Sequence, residues 1–107
     1  MDRSDIMTLY AEGISYDSLG VAHKTQVARQ VFCDVDSITR AEFYDAGRSG
    51  IKPEYRFTIF SGDYEGETLV GYNGRLYSVY RTYHARTDDV ELYVERKAGT
   101  DGETDAD

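Results

Sequence analysis

Apolar side chains recur at every second position along most of the chain. Val27, Val31, Cys33 and Val35 share one phase, Arg29 interrupts them, and Gln30, Asp34 and Asp36 take the other. A period of two marks a half-buried strand and predicts one strand from Gln26 to Ile38. At about 3.3 Å per residue it would reach roughly 40 Å. A domain of this size is narrower, so the strand must bend sharply or project beyond the body. Tyr55, Phe57 and Ile59 alternate in a second strand ending at Phe60, and Thr68 to Tyr72 forms a third. Asn73-Gly74 then separates two strand-like runs. Both residues tolerate positive φ, which predicts a tight hairpin into a strand from Arg75 to about His84. In the final run, Val90, Leu92 and Val94 face one way and Glu91, Tyr93 and Glu95 the other. Asp5 to Tyr10 is a further strand candidate, and Ser18-Leu19-Gly20 reads as a loop.

Thr39 to Gly50, TRAEFYDAGRSG, breaks this rhythm. It holds helix formers, a cap candidate at Ser37 or Thr39, and glycines at 47 and 50 that would stop a helix. A short helix or ordered loop is expected, passing into an extended Lys52-Pro53-Glu54. The expected fold is therefore all-β: a small antiparallel barrel of about six strands with a loop and short helix inserted at about residues 39–54. Closure removes exposed strand edges; an open sandwich is the alternative.

Composition narrows the function. The chain has 107 residues, enough for one domain. Its 12 basic and 20 acidic side chains give a formal charge of −8, which opposes general affinity for nucleic acid. Four of those acids lie in the last segment, GTDGETDAD, with no base, so residues 99–107 read as a disordered acidic tail and residues 1–98 as the domain. The tail could act as bait for a basic partner; a solvated tail is the simpler expectation. Arginine outnumbers lysine nine to three, and an acidic, lysine-poor surface suits a high-salt or GC-rich host. No apolar run is long enough for a membrane-spanning helix. The N-terminus lacks a signal-peptide pattern, so a cytoplasmic chain starting at Met1 is expected. A single cysteine excludes an internal disulfide and a cysteine-cluster zinc site. Ten tyrosines favour strands and interfaces.

Candidate chemistry is sparse. His23 and His84 lie in no nucleophile or metal motif. Cys33 falls on the apolar face of its strand, as a core filler would. Asp63, Glu65 and Glu67 could gather a hard cation, but their spacing is not an EF-hand and a solvated acidic turn is the simpler reading. No phosphate-cradling glycine loop is present. The sequence argues for no enzyme, cofactor or metal.

Two features remain. Arg81 shares its strand phase with Tyr77, Val79 and Tyr83. An inward guanidinium needs a carboxylate, for which Glu91 or Glu54 would serve, unless a bulge turns it out or it meets a ligand. Arg40 to Arg56 holds four bases and three acids, and it carries Phe43, Tyr44 and Ile51. It reads as an interface patch or as a lid over the barrel end.

The ordered series Arg40-Ala41-Glu42-Phe43-Tyr44, Gly50-Ile51-Lys52-Pro53-Glu54, Phe57, Asp63-Tyr64-Glu65-Gly66-Glu67, Tyr72-Asn73-Gly74, Tyr77 to Tyr83 and Glu91 to Glu95 resembles the head-closure proteins of long-tailed DNA phages. These are also called head–tail joining or stopper proteins. The likeness spans about residues 5–97. It implies a non-enzymatic virion protein of the neck, assembled in the host cytoplasm. Such a protein is a small β-barrel with a long loop and short helix, forming a ring, expected as a dodecamer. Implied partners are the portal adaptor or head completion protein above and a tail completion or tail-terminator protein below. Packaged double-stranded DNA would pass in the channel without sequence specificity. No membrane is involved. The resemblance assigns the assembly and channel loop to Arg40, Glu42, Phe43, Tyr44, Arg48, Lys52, Pro53 and Glu54. It treats Asn73, Gly74, Arg81, Tyr83 and Glu91 as structural. A tail-completion or tail-terminator protein is one alternative function; a free small-barrel module binding single-stranded nucleic acid is another.

Overall fold

A computed structural model describes residues 4–84, 86 and 88–97. The acidic tail expected at 99–107 lies outside the described residues. Six strands and one α-helix follow in the order β1 (Asp5–Tyr16), β2 (Ala22–Ser37), α1 (Arg40–Gly47), β3 (Pro53–Phe60), β4 (Leu69–Tyr72), β5 (Arg75–Tyr83) and β6 (Asp89–Arg96). The strands close into an antiparallel barrel in the order β1-β2-β3-β6-β5-β4. The all-β barrel expected from the alternation is the fold, and the open sandwich is not.

Alternation sets the core. Met7, Leu9, Val31, Cys33, Phe57, Ile59, Val70, Val90, Leu92 and Val94 point inward from five strands, and Tyr77 completes the cluster from β5. Cys33 is fully buried there, the filler its strand phase indicates. Tyrosines finish one end of the barrel. Tyr55 meets Tyr72 and Tyr77 edge-to-face, both with ring centroids 5.6 Å apart, and Phe57 meets Tyr72 at 5.2 Å. Such pairs add to their area burial.

The hairpin predicted at Asn73-Gly74 joins β4 to β5, with φ of 52° and 75° and Tyr72 paired to Arg75. Positive φ at both central residues gives the twist that a two-residue hairpin needs.

β1 and β2 are longer than the alternation indicated, with 12 and 16 residues. They pair without a break from Asp5↔Cys33 to Tyr16↔Ala22. Only part of that ladder belongs to the barrel, because β1 meets β4 at Thr8–Tyr10 and β2 meets β3 at Asp34–Ser37. The rest, about residues 11–28, is a two-stranded arm projecting from the body. It stretches the molecule to 52 × 31 × 22 Å, so the long strand projects rather than bending back. The extra strand length was hidden because residues 11–16 have no core to face and carry no inward apolar phase.

The arm is held at its tip. The Asp17 carboxylate accepts the backbone N–H groups of Leu19 at 2.9 Å and Val21 at 3.0 Å, and lies 2.9 Å from Nε2 of His23. Gly20 takes a φ of 80° to close the turn. A side-chain acceptor replacing backbone partners is the usual device of an aspartate turn.

Candidate functional site

Among the described residues, the inserted segment and the projecting arm both stand outside the barrel, and they are built differently.

Thr39 caps α1, its hydroxyl accepting the N–H of Glu42 at 3.2 Å. This is one of the two predicted caps. The helix buries little of itself; Ala46 is its one buried residue. A carboxylate holds it in place. Glu42 accepts the Tyr80 hydroxyl at 2.7 Å and pairs with the Arg81 guanidinium. Arg81 in turn lies over the Tyr93 ring, 4.0 Å from its centroid, and Tyr93 donates to Glu91 at 2.8 Å. α1 is thus fastened to the outer wall of its own barrel.

Arg81 therefore resolves in favour of the bulge. The β5–β6 register shifts between Val79 and Arg81, which turns the guanidinium out of the interior. Its partner is Glu42, not Glu91 or Glu54: Glu91 serves Tyr93, and Glu54 is exposed. The correction has a simple origin. A bulge reverses side-chain phase, and the partner lies 39 residues away in an element of another period.

Electrostatics fit this arrangement. Burial pushes the Glu42 carboxyl upward, but the hydrogen bonds from Arg81 and Tyr80 outweigh it and hold it below the usual carboxylate range. Burial, then the bond to Glu42, raises the Tyr80 phenol. Burial, then the bond to Glu91, raises Tyr93.

Among the other residues assigned to the loop, Phe43 and Tyr44 stack edge-to-face at 6.0 Å and both remain exposed. They lie outside the core, so they do not close the barrel as a lid. Arg48 pairs with Asp45 at 3.1 Å on the surface. The Lys52 backbone N–H reaches Glu95 at 3.5 Å. Pro53 is buried and opens β3, while Arg40 is exposed. Tyr83 ends β5 with an exposed ring.

The acidic turn also differs from expectation. Glu67 is buried, and Oε2 takes the Arg29 guanidinium at 2.7 Å while Oε1 accepts the Glu65 N–H at 2.9 Å. The Tyr64 hydroxyl donates to the Glu67 carbonyl at 2.7 Å. Burial raises the Glu67 carboxyl, and the backbone amides and Arg29 together bring it below its ordinary value. Glu67 therefore belongs to an ion pair at the root of the arm rather than to a solvated turn or a cation site. Arg29 interrupts the inward phase of β2 because its partner stands across the barrel mouth. The interruption was visible in the sequence; the partner was not.

Sequence reasoning missed the arm's outer face. On the face of β1 away from the core lie Ile6, Tyr10, Ile14 and Tyr16, and Phe32 of β2 stands directly opposite Ile6. Ile14 and Phe32 are 65% and 62% exposed, and Leu19 at the tip is 86% exposed. The signal was present as apolar residues in the outward phase, but the strand assigned there stopped at Tyr10.

Compared with known proteins, the chain matches no family model and no curated sequence.

Proposed function

We propose that this chain is a structural subunit of a tailed-virus neck: a head-closure protein that forms a ring below the portal and its adaptor, helps to retain packaged DNA, and presents the surface to which the tail docks. The observation that carries this reading is the division of labour in the fold. A small closed barrel has no free edge around its body, yet it spends about a quarter of its ordered length on an arm and a short helix outside that body. Elements without a core of their own are stabilised by neighbours in an assembly. The order of residues resembling the head-closure proteins points the same way.

An isolated subunit should be monomeric in dilute solution, since each exposed element alone offers little apolar area. Assembly then depends on the adaptor as a template. Ring closure around a channel also fits a net negative chain, which would not adhere to DNA sliding past it.

The test is co-purification. A tagged chain produced during infection should be recovered with DNA-filled heads carrying portal and adaptor. Recovery with tails alone would make it a tail-completion or tail-terminator protein. Recovery with neither, together with salt-dependent binding of single-stranded nucleic acid, would replace the neck reading by a free binding module. Within the neck, a chain lacking Ala41–Gly50 should fold as a barrel yet give particles that lose DNA or fail to join tails.

A further inference from the structure

We propose that the tyrosine-lined end of the barrel is a carboxylate-binding site, filled by the chain's own acidic segment through Asp101 and Glu103. Tyr77 is its centre. The residue is 2% exposed and its ring lies edge-to-face on Tyr55. Among the described residues nothing accepts from its hydroxyl. The hydroxyl is not sealed in either, since Arg56 Nε is the enclosed polar atom without a partner among those residues. A buried phenol with an open, unused donor points to a ligand at this end of the barrel.

Two guanidiniums flank it. Arg96 stands directly opposite Tyr77 on β6. Arg75 precedes Tyr77 by two residues on the same face of β5, opposite Tyr72. Arg29, Arg48, Arg56 and Arg81 each pair with a carboxylate, whereas Arg75 and Arg96 pair with none among the described residues. Burial pushes the Tyr77 phenol up, Tyr55 and Glu54 add to this, and Arg75 and Arg96 oppose it. Both cations therefore act at this hydroxyl, against the one carboxylate of Glu54. Asp5, the other acid at this end, takes the Tyr72 hydroxyl at 3.4 Å. Two guanidinium forks and a phenol O–H offer donors to an oxyanion, a carboxylate or a phosphate.

Position selects the source. The Lys97 N–H donates to the Leu76 carbonyl at 3.1 Å, so the chain leaves β6 one residue past Arg96 and alongside β5. Asp101 follows four residues later, a reach of about 13 Å when fully extended, and Glu103 is the next acid. A carboxylate tethered this closely is present at about millimolar effective concentration, which a free anion must exceed to displace it.

The site goes beyond the neck reading and does not depend on it. Inorganic phosphate is the probe, titrated into the full chain while NMR follows the Nε–H signals of Arg75 and Arg96. Asp101→Asn with Glu103→Gln empties the site, so phosphate should bind about tenfold more tightly than to the unaltered chain. Glu12→Gln with Asp63→Asn makes the same change in net charge elsewhere and should not reproduce the gain. Adding Tyr77→Phe to the emptied chain should weaken phosphate about tenfold, through loss of one hydrogen bond to a charged group. Equal phosphate affinity with and without the Asp101 and Glu103 carboxylates, or an equal gain from the control pair, overturns the proposal and leaves an anion site for another molecule. Phosphate that does not move the Arg75 and Arg96 signals in the emptied chain, or that binds indifferently to Tyr77→Phe, overturns the site itself. A gain that fades on dilution puts a neighbouring copy's segment in the site and overturns the internal contact.

Discussion

The helix insertion and the arm both leave the barrel, yet one is fastened to its own subunit and the other is not. α1 has little apolar burial, but Glu42 ties it to Tyr80 and Arg81 on β5. The arm has complete backbone pairing and a carboxylate-closed tip, but Ile14 and Tyr16 on its outer face stay exposed among the described residues. Strength of internal order and commitment to the subunit are thus different properties. An element held by polar tethers already has its partner. An ordered element with an uncovered apolar face still needs one. The comparison moves attention from Phe43 and Tyr44, the aromatic pair that the sequence singled out, to the arm.

Outside the core, the largest effect is expected at the root of the arm. Arg29→Ala leaves the Glu67 carboxylate buried without its cation. Breaking a buried ion pair from one side costs about 3–5 kcal/mol; Arg29 is itself partly exposed, and water screens the pair, so about 2–3 kcal/mol is expected here. Urea denaturation should show the loss as a lower midpoint. Glu67→Gln in the same background should recover part of it, because the buried charge is gone. A midpoint unchanged by Arg29→Ala would mean that the barrel mouth does not depend on this pair.

Next comes the tether on α1. Glu42→Gln keeps an acceptor for Tyr80 but removes the charge facing Arg81, for a loss of about 1–2 kcal/mol, the range of a charge-assisted hydrogen bond at a partly wet site. The loss should be local. Amide exchange should quicken through Arg40–Gly47 and stay slow in β3, β5 and β6. Uniform quickening would show that α1 and barrel unfold as one unit, and the contrast drawn with the arm would fail.

Lowering the pH compares the two regions in one experiment. The carboxyls of Glu42 and Glu67 lie below their ordinary value of 4.5, and that of Asp17 lies below 3.8, chiefly through His23. A carboxyl depressed by folding contributes its full stability above its unfolded value, and that contribution disappears as pH falls through the folded value. Stability should therefore be flat from neutrality to about pH 4.5 and then decline. Protonation of Asp17 should free the amides of Leu19 and Val21 while the barrel stays folded. Loss of both in a single step would mean that the arm has no separate equilibrium.

How much of this was legible follows from what each feature needs. Strand phase is a local property, so Val31 and Cys33, or Phe57 and Ile59, revealed the core directly. The Asn73-Gly74 turn and the Thr39 cap are equally local. The pairs Arg81–Glu42 and Arg29–Glu67 join residues 39 and 38 positions apart. Their discovery required knowing that a bulge turns Arg81 outward and that Arg29 stands at the barrel mouth. The arm was half legible: the length of β2 demanded a sharp bend or projection, but β1 beyond Tyr10 has small or polar residues on its inner side and showed no core phase. The outward-phase residues Ile14 and Tyr16 lie beyond the strand expected at Asp5 to Tyr10 and entered no pattern.

The smallest stability effect is the one that sharpens the contrast most. Ile14→Ser and Tyr16→Ser remove large apolar side chains that are already 65% and 70% exposed in the single chain. Surface changes away from caps, tethers and the core fall within about ±0.5 kcal/mol, so the urea midpoint of the isolated subunit should barely move. A core truncation such as Phe57→Ala, at a fully buried position, should by contrast cost about 3–5 kcal/mol. A residue that is large, apolar and irrelevant to the stability of its own chain has its energetic role outside that chain. If Ile14→Ser lowered the midpoint as a core change does, the arm would be supported by the barrel after all, and its outer face would no longer need a partner to explain it.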